Sequence, residues 1–164
     1  MTPQHHAGHF VSPHFVSPSE QDRAAPPPAE EARRMQDMQG PVRVLIVEDD
    51  FLIAMQTEVA LTAAGFEIVG PATTAEEAVE LAREAQPWLA VMDIRLASSR
   101  DGIDAARELY EDFSIRCIFA TAHDDAHTRG RAEPYAPLGW LPKPYTMASL
   151  VAVVAEAVTL LTRP

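Results

Sequence analysis

The feature that most restricts the fold of this chain is a fivefold alternation of short apolar runs with longer segments of helical spacing. The predicted strands are Val42–Val47, Phe66–Val69, Leu89–Met92, Ile115–Phe119 and Gly139–Leu141. The predicted helices follow them in turn, at Phe51–Ala64, between Thr74 and Pro87, at Gly102–Glu111, at Asp124–Arg131 and from Thr146 to about Leu161. Strands this short and apolar are typical of a parallel sheet buried on both faces. Because crossovers between parallel strands are right-handed, we predict an α/β fold with a doubly wound five-stranded parallel sheet.

Local signals mark the ends of two of the predicted helices. The first helix has apolar residues at helical spacing, among them Leu52, Met55 and Val59. Asp50 directly precedes it, so this carboxylate is a candidate N-cap, with cation binding as the alternative. Thr74 and Glu77 have the spacing of a capping box at the start of the second helix.

Residues 1–40 differ in composition from the rest of the chain. They are rich in proline and histidine, and they contain a tandem repeat of the sequence HFVSP at His9–Pro13 and His14–Pro18. Such a segment buries too little apolar surface to offset its ordering entropy. We therefore predict a disordered N-terminal tail over residues 1–40 and a folded domain over residues 41–164.

Charge and composition exclude several classes of protein. The net charge of −11 argues against binding to nucleic acid or to an anionic membrane surface. No apolar run approaches the roughly 18–20 residues that span a bilayer, and the N-terminus lacks the pattern of a secretory signal. The single cysteine, Cys117, excludes an internal disulfide and is expected to be a small buried apolar side chain. These features predict a soluble cytoplasmic protein.

Polar residues lie just past the ends of four of the predicted strands. They are Glu48, Asp49 and Asp50 after the first strand, Asp93 after the third, Thr121 after the fourth and Lys143 after the fifth. The carboxyl ends of parallel strands share one edge of the sheet, and ligands of such folds bind at that edge. We therefore expect carboxylates, a hydroxyl and an ammonium to meet at one site.

This combination of groups suits phosphoryl transfer. Crowded carboxylates repel one another unless a cation joins them, and Mg²⁺ is the hard cation that accepts such oxygen ligands while leaving room for a phosphoryl group. An aspartate can act as the nucleophile and form an acyl phosphate. Lys143 is the only lysine among 13 basic residues, which indicates a requirement for a compact ammonium at this position.

Five sequence blocks, VLIVEDD, VMDIRL, DGIDAARELY, IFATAH and LPKPY, resemble in order and spacing the receiver domain of bacterial two-component response regulators, the CheY-like family. The resemblance covers Val42 to about Leu161. It implies the flavodoxin-like (βα)5 receiver fold, a phosphoacceptor aspartate, Mg²⁺ as cofactor and a signalling role. It does not imply an enzyme that acts on outside substrates.

The resemblance also implies a role for each residue that matches a family motif. Asp93 is the phosphoacceptor. Asp49, Asp93 and the backbone carbonyl of Arg95 are the metal ligands, with Glu48 bound through water. Thr121 and Lys143 are the switch and phosphate-binding residues, together with the aromatic residue Trp140. The side chains of Arg95 and His123 occupy the positions that set the lifetime of the phosphoryl group.

Three features depart from the usual family pattern. Ala97 stands where a proline is common, the loop LASSR at residues 96–100 is long and polar, and the switch aromatic is Trp140 instead of tyrosine or phenylalanine. An indole is bulkier than those rings and is expected to rotate inward less easily. Packing without any switching is the alternative role for Trp140.

The predicted function is that of a single-domain response regulator. Asp93 would accept a phosphoryl group from a histidine kinase or a phosphotransfer protein, and the face formed by the fourth helix, fifth strand and fifth helix would then bind a downstream protein. The chain ends soon after the last predicted helix, so we expect no DNA-binding output domain. The apolar last helix, with Ala148, Ala152 and Ala155 on one side, also raises the possibility of a weak homodimer.

Three alternatives remain open. The protein could be a phosphate sink, or an interaction module that works without phosphorylation. A phosphohydrolase that forms an aspartyl phosphate would carry a second aspartate two residues after the nucleophile, and this chain has Arg95 there.

Overall fold

The computed structural model describes residues 40–122 and 125–163. The elements are β1 (Arg43–Val47), α1 (Phe51–Ala63), β2 (Glu67–Ala72), α2 (Ala75–Ala85), β3 (Leu89–Asp93), α3 (Gly102–Phe113), β4 (Arg116–Thr121), α4 (Ala126–Ala132), a 3₁₀ turn (Glu133–Tyr135), β5 (Gly139–Pro142) and α5 (Met147–Leu161). Each predicted strand and helix is therefore present, with ends that differ by a few residues. The predicted tail, apart from Gly40, lies outside the described residues.

The five strands form one parallel sheet in the order β2-β1-β3-β4-β5. This is the flavodoxin-like order, so the predicted doubly wound fold is confirmed. The chain order reverses between β1 and β3, where Val47 lies in register with Met92. Glu48, which follows β1, and Asp93, the last residue of β3, are thus brought together at the edge where such folds bind ligands.

The sheet separates two apolar clusters. One lies between the sheet and helices α2, α3 and α4, and it includes Phe119 and Leu109. The other lies between the sheet and helices α1 and α5, and it includes Leu61 and Leu150. Cys117 is buried in the first cluster as expected, and this burial raises the pKa of its thiol to about 12.

Helix α1 buries a different face from the one that its apolar spacing suggests. Its buried residues are Ala54, Thr57 and Leu61. Leu52, Met55 and Val59, whose spacing predicted the helix, are exposed by 61%, 43% and 65%. The helix is apolar around much of its circumference, so periodicity indicates a helix correctly but does not identify the side that faces the sheet.

Local details differ from the predictions at two other places. Strand β2 continues through Gly70 and Pro71 to Ala72, beyond the predicted end at Val69. It is an edge strand, where proline costs no ladder hydrogen bond. At α2 the Thr74 hydroxyl accepts the backbone N–H of Glu77 as predicted, but the Glu77 carboxylate accepts the N–H of Thr73 instead of that of Thr74.

Within the described ranges, no helix is both long enough and apolar enough to span a membrane.

Candidate functional site

Three acidic residues meet at the carboxyl edge of β1 and β3. Glu48 and Asp49 directly follow β1, and Asp93 is the last residue of β3. Each offers a carboxylate oxygen, and these oxygens lie within 4.8 Å of one another. Glu48 and Asp93 are buried, whereas Asp49 is exposed. The predicted convergence of these residues is therefore observed.

Asp50, the fourth acid of this region, serves the helix. Its Oδ1 atom accepts the backbone N–H groups of Leu52 at 2.9 Å and of Ile53 at 3.1 Å. The capping role predicted for Asp50 is thereby confirmed. Its own backbone N–H donates to the Glu48 carboxylate at 3.1 Å, so the start of α1 also helps to orient Glu48.

The ammonium of Lys143 bridges two of the carboxylates. Its Nζ atom lies 3.3 Å from Oδ2 of Asp93 and 3.4 Å from Oε2 of Glu48. Partial burial by itself would lower the pKa of Lys143, but the charges of Asp93 and Glu48 outweigh that effect and the pKa is raised. Lys143 is therefore held in its charged form next to Asp93.

The carboxyl group of Glu48 has a strongly raised pKa. Burial raises its pKa to about 7, and the charge of Asp93 adds to the rise. The backbone N–H of Asp50 and the ammonium of Lys143 oppose the rise. The ionised form of Glu48 thus costs free energy here, as expected for a buried carboxylate next to a second carboxylate.

Thr121 lies on β4, the strand next to Asp93, and Trp140 lies on β5, the strand beyond it. Asp93 is in register with Ala120 on β4, and Thr121 follows as the buried last residue of that strand. The carbonyl of Thr121 accepts the backbone N–H of Lys143 at 2.8 Å, so the ends of β4 and β5 are joined.

The indole of Trp140 packs on Phe119, with ring centroids 5.0 Å apart and an interplanar angle of 29°. The guanidinium carbon of Arg129 lies 4.8 Å from the centroid of the Trp140 ring. Trp140 is thus held between the core and a side chain of α4.

Arg95 and His123 are the two residues predicted to set the lifetime of the phosphoryl group, and the structure describes only the first of them. The backbone N–H of Arg95 donates to Oδ1 of Asp93 at 3.3 Å, and the Arg95 side chain is exposed. His123 lies outside the described residues.

The polar loop at residues 96–100 is anchored by Arg100. Its guanidinium pairs with Glu108 on α3 and lies 3.4 Å from the carboxylate of Glu76 on α2. The Ser98 hydroxyl also donates to the carbonyl of Arg100 at 2.8 Å. These contacts order the loop that lacks the family proline.

One neighbour of the site was not predicted from the sequence. Tyr145 is half-buried next to Lys143, and a hydrogen bond joins its hydroxyl to Thr57, a buried polar residue of α1. Burial raises the pKa of the Tyr145 phenol, so it stays protonated. Its position two residues after Lys143 is the only signal in the sequence.

The donor set fits Mg²⁺. Its ligands are carboxylate oxygens, which this hard cation prefers, and one of the three residues, Asp49, is exposed. Burial and, to a lesser extent, the charge of Asp93 raise the pKa of Glu48, and a divalent cation at the cluster would favour the ionised carboxylate.

Comparison with known protein families identifies one match. The model for the response regulator receiver domain matches residues 44–155.

Two curated proteins are similar over most of the described chain. The transcriptional regulatory protein PdtaR of Mycobacterium tuberculosis is 38% identical over 119 residues, which cover 73% of this chain and 58% of PdtaR. The phyllosphere-induced regulator PhyR of Methylorubrum extorquens is 36% identical over 115 residues, which cover 70% of this chain and 42% of PhyR. The chain therefore spans about half the length of these relatives.

A solved structure has the same architecture. The signal receiver domain of a modulated diguanylate cyclase from Desulfovibrio desulfuricans superposes with a TM-score of 0.68 at 32% identity, covering 74% of this chain and 97% of that domain.

Proposed function

The chain belongs to the response regulator receiver family, and from this membership we propose that Asp93 accepts a phosphoryl group from a histidine kinase or a phosphotransfer protein. The observation that carries the proposal is the geometry around Asp93. Its carboxylate is buried, lies 3.3 Å from a charged ammonium, and shares an acidic cluster with Glu48 and Asp49. Relatives such as PdtaR and PhyR are named as regulators, so we propose a regulatory role for this chain as well.

The reaction forms an aspartyl phosphate. A carboxylate oxygen of Asp93 attacks the phosphorus of a phosphohistidine, the phosphorus–nitrogen bond breaks, and the donor imidazole leaves with the bonding electrons. Lys143 stands beside the carboxylate, where its ammonium can meet an oxygen of the incoming group. The backbone N–H of Arg95 points to the other carboxylate oxygen and helps to orient it.

The metal site of the proposal consists of Asp49, Asp93 and the carbonyl of Arg95, with Glu48 acting through water. When bound, Mg²⁺ supplies positive charge that stabilises the phosphoryl oxygens. The closeness of the three carboxylates supports the acidic part of this ligand set. Arg95 and His123 are proposed to tune the lifetime of the phosphoryl group.

The switch of the proposal starts at Thr121. Its hydroxyl would approach the new phosphoryl group, and the face formed by α4, β5 and α5 would change its arrangement and bind a downstream protein. Support comes from the position of Trp140 between Phe119 and Arg129, because this ring links β5 to α4.

The phosphodonor is proposed to dock on the exposed apolar side of α1. Phe51, Leu52, Met55 and Val59 are exposed there, and α1 begins directly after the acidic residues. An apolar groove of about 290 Å³ lined by Met55, Gln56, Val59, Ala60 and Met147 continues this surface. A contiguous apolar surface next to the phosphoacceptor fits a helix of the donor, since an amphipathic helix binds such a groove with its apolar face.

The test of the proposed function is intact mass after incubation with acetyl phosphate and Mg²⁺. Wild type should gain one phosphoryl group, and Asp93→Asn should gain none. Asp112→Asn, at an exposed position of α3, is the matched control and should label like wild type. Labelling that is unchanged in Asp93→Asn would contradict the assignment. Absence of labelling combined with failure to bind beryllofluoride would favour an interaction module that works without phosphorylation.

A further inference from the structure

Helix α4 has few core contacts to hold it in place. It spans only seven residues, Ala126–Ala132, and Ala132 is its one buried residue. Gly130 lies in its last turn and lowers its intrinsic stability. The position of such a short helix depends on contacts of its exposed side chains, and elements of this kind are the ones that rearrange most easily.

Two arginines on either side of Gly130 supply these contacts. Arg129 lies over the ring of Trp140, as described above. Arg131 reaches the first turn of α3, where its Nη1 atom lies 2.7 Å from Oδ2 of Asp101 and its Nη2 atom lies 3.9 Å from Oδ1 of Asp104. Helix α4 is therefore tied to β5 by one arginine and to α3 by the other.

Asp101 and Asp104 form the capping box of α3. Oδ1 of Asp101 accepts the backbone N–H groups of Ile103 and Asp104 at 3.0 Å each, and Oδ2 of Asp104 accepts the N–H of Asp101 at 3.1 Å. Oδ2 of Asp101 is the atom that receives Arg131. The carboxylate that binds Arg131 is thus held rigidly by the helix that it caps.

The same turn of α3 contacts the backbone of the phosphoacceptor. The N–H of Gly102 donates to the carbonyl of Ile94 at 2.8 Å. A Cβ atom at Gly102 would lie only 2.0 Å from the carbonyl oxygen of Asp93, so the helix backbone packs directly on that residue. A shift of the Asp93 backbone must therefore move the capping box, and with it the attachment point of Arg131.

We propose that the Asp101–Arg131 ion pair is a latch that holds α4 in the arrangement of the unphosphorylated chain and opposes activation at Asp93. The inference rests on the proposed function and adds a route to α4 that bypasses Thr121. An ion pair that forms in only one of two arrangements of the protein stabilises that arrangement. It therefore lowers the affinity for a ligand that binds only the other arrangement, and binding of that ligand in turn weakens the ion pair. Removing the latch should therefore increase the affinity for a phosphoryl mimic.

The expected effect is modest because the pair is partly exposed. Partly exposed ion pairs contribute little to stability, so removing this pair should raise the affinity for a phosphoryl mimic about two- to fivefold. Arg131→Gln removes the charge without touching the cap of α3. Asp101→Asn removes the charge from the other side and keeps a good N-capping side chain.

The experiment titrates the full chain with beryllofluoride in the presence of Mg²⁺ and measures affinity by calorimetry. Arg131→Gln and Asp101→Asn should each bind about two- to fivefold more tightly than wild type. The double variant should gain no more than the better single variant, because both changes remove the same pair. Arg83→Gln is the matched control, since Arg83 forms an exposed pair with Glu80 on α2 and should leave the affinity unchanged.

The outcomes separate the latch from the proposed function. If wild type binds beryllofluoride and Arg131→Gln binds with equal or lower affinity, the latch is wrong while the receiver function stands. Additive gains in the double variant would also overturn the latch. If wild type does not bind beryllofluoride, the proposed function itself fails. Should Asp101→Asn unfold, Arg131→Gln alone decides the matter.

Discussion

The ammonium of Lys143 lies 3.3 Å from a carboxylate oxygen of Asp93, although the two residues come from strands that are separated in the sheet by β4. The same ammonium lies 3.4 Å from Glu48, which follows β1. Lys143 therefore supplies the positive charge that two buried carboxylates share, and it competes with any cation for them.

Replacing Lys143 should separate metal binding from phosphorylation. In Lys143→Met the acidic cluster loses its neutralising charge, so we expect Mg²⁺ affinity to rise about three- to tenfold. Labelling of Asp93 by acetyl phosphate should fall more than about tenfold, because the ammonium that meets the phosphoryl oxygen is gone. Metal titration by calorimetry and intact mass measure the two effects. Arg107→Gln, on the exposed side of α3, is the control, and a parallel loss of both properties in Lys143→Met would contradict this role.

The raised pKa of Glu48 predicts a pH dependence of stability. A carboxyl whose pKa rises to about 7 on folding stabilises the protein fully below its unfolded pKa, near 4.5, and loses that contribution as the pH rises through 7. The free energy of unfolding of metal-free wild type should therefore fall between pH 5 and pH 8. This fall should exceed that of Glu48→Gln by on the order of 1–3 kcal/mol.

Chemical denaturation in the presence of a chelator measures this difference. Mg²⁺ should diminish it, because the cation favours the ionised carboxylate. Glu58→Gln, which changes an exposed glutamate of α1, serves as the control. Parallel pH profiles for wild type and Glu48→Gln would show that Glu48 titrates normally in the folded protein.

Thr121 should be required for the switch but not for phosphorylation. In a Trp88→Phe background, Trp140 is the only tryptophan, and its fluorescence should change when beryllofluoride binds because the ring lies against Phe119 and beneath Arg129. Adding Thr121→Ala should reduce that change at least about threefold while the aspartyl phosphate still forms. Thr159→Ala on α5 controls for loss of a threonine. A full fluorescence response in Thr121→Ala would show that the switch does not require Thr121.

The exposed side of α1 should affect phosphoryl transfer from a protein donor but not from a small-molecule donor. Met55→Glu places a charge in the apolar groove, and we expect at least about a tenfold slower transfer from a phosphorylated histidine kinase. Labelling by acetyl phosphate should stay unchanged, since this small donor needs no docking surface. Leu160→Glu puts the same charge on an equally exposed apolar residue of α5 and should transfer normally. Equal transfer to Met55→Glu and wild type would exclude this surface from donor docking.

The alternation of apolar runs and helical segments determined the order of the elements and the parallel sheet, because the apolar strands of such a sheet differ visibly from its helices. The same alternation located the site, because Glu48, Asp93, Thr121 and Lys143 each stand at the end of a strand or just past it. Parallel strands place those positions at one edge whatever their separation along the chain. The caps at Asp50 and Thr74 were likewise readable, since capping depends on residues only two or three positions apart.

Tertiary packing decided what depends on distant residues. Which side of α1 faces the sheet could not be read from its sequence, because apolar residues surround the helix and the choice falls to the neighbouring α5 and β2. The ion pair between Asp101 and Arg131 joins positions 30 residues apart. No local sequence pattern at either residue identifies the other as its partner. The raised pKa of Glu48 has the same origin, since it follows from burial and from the charge of Asp93, which only the folded sheet brings next to Glu48.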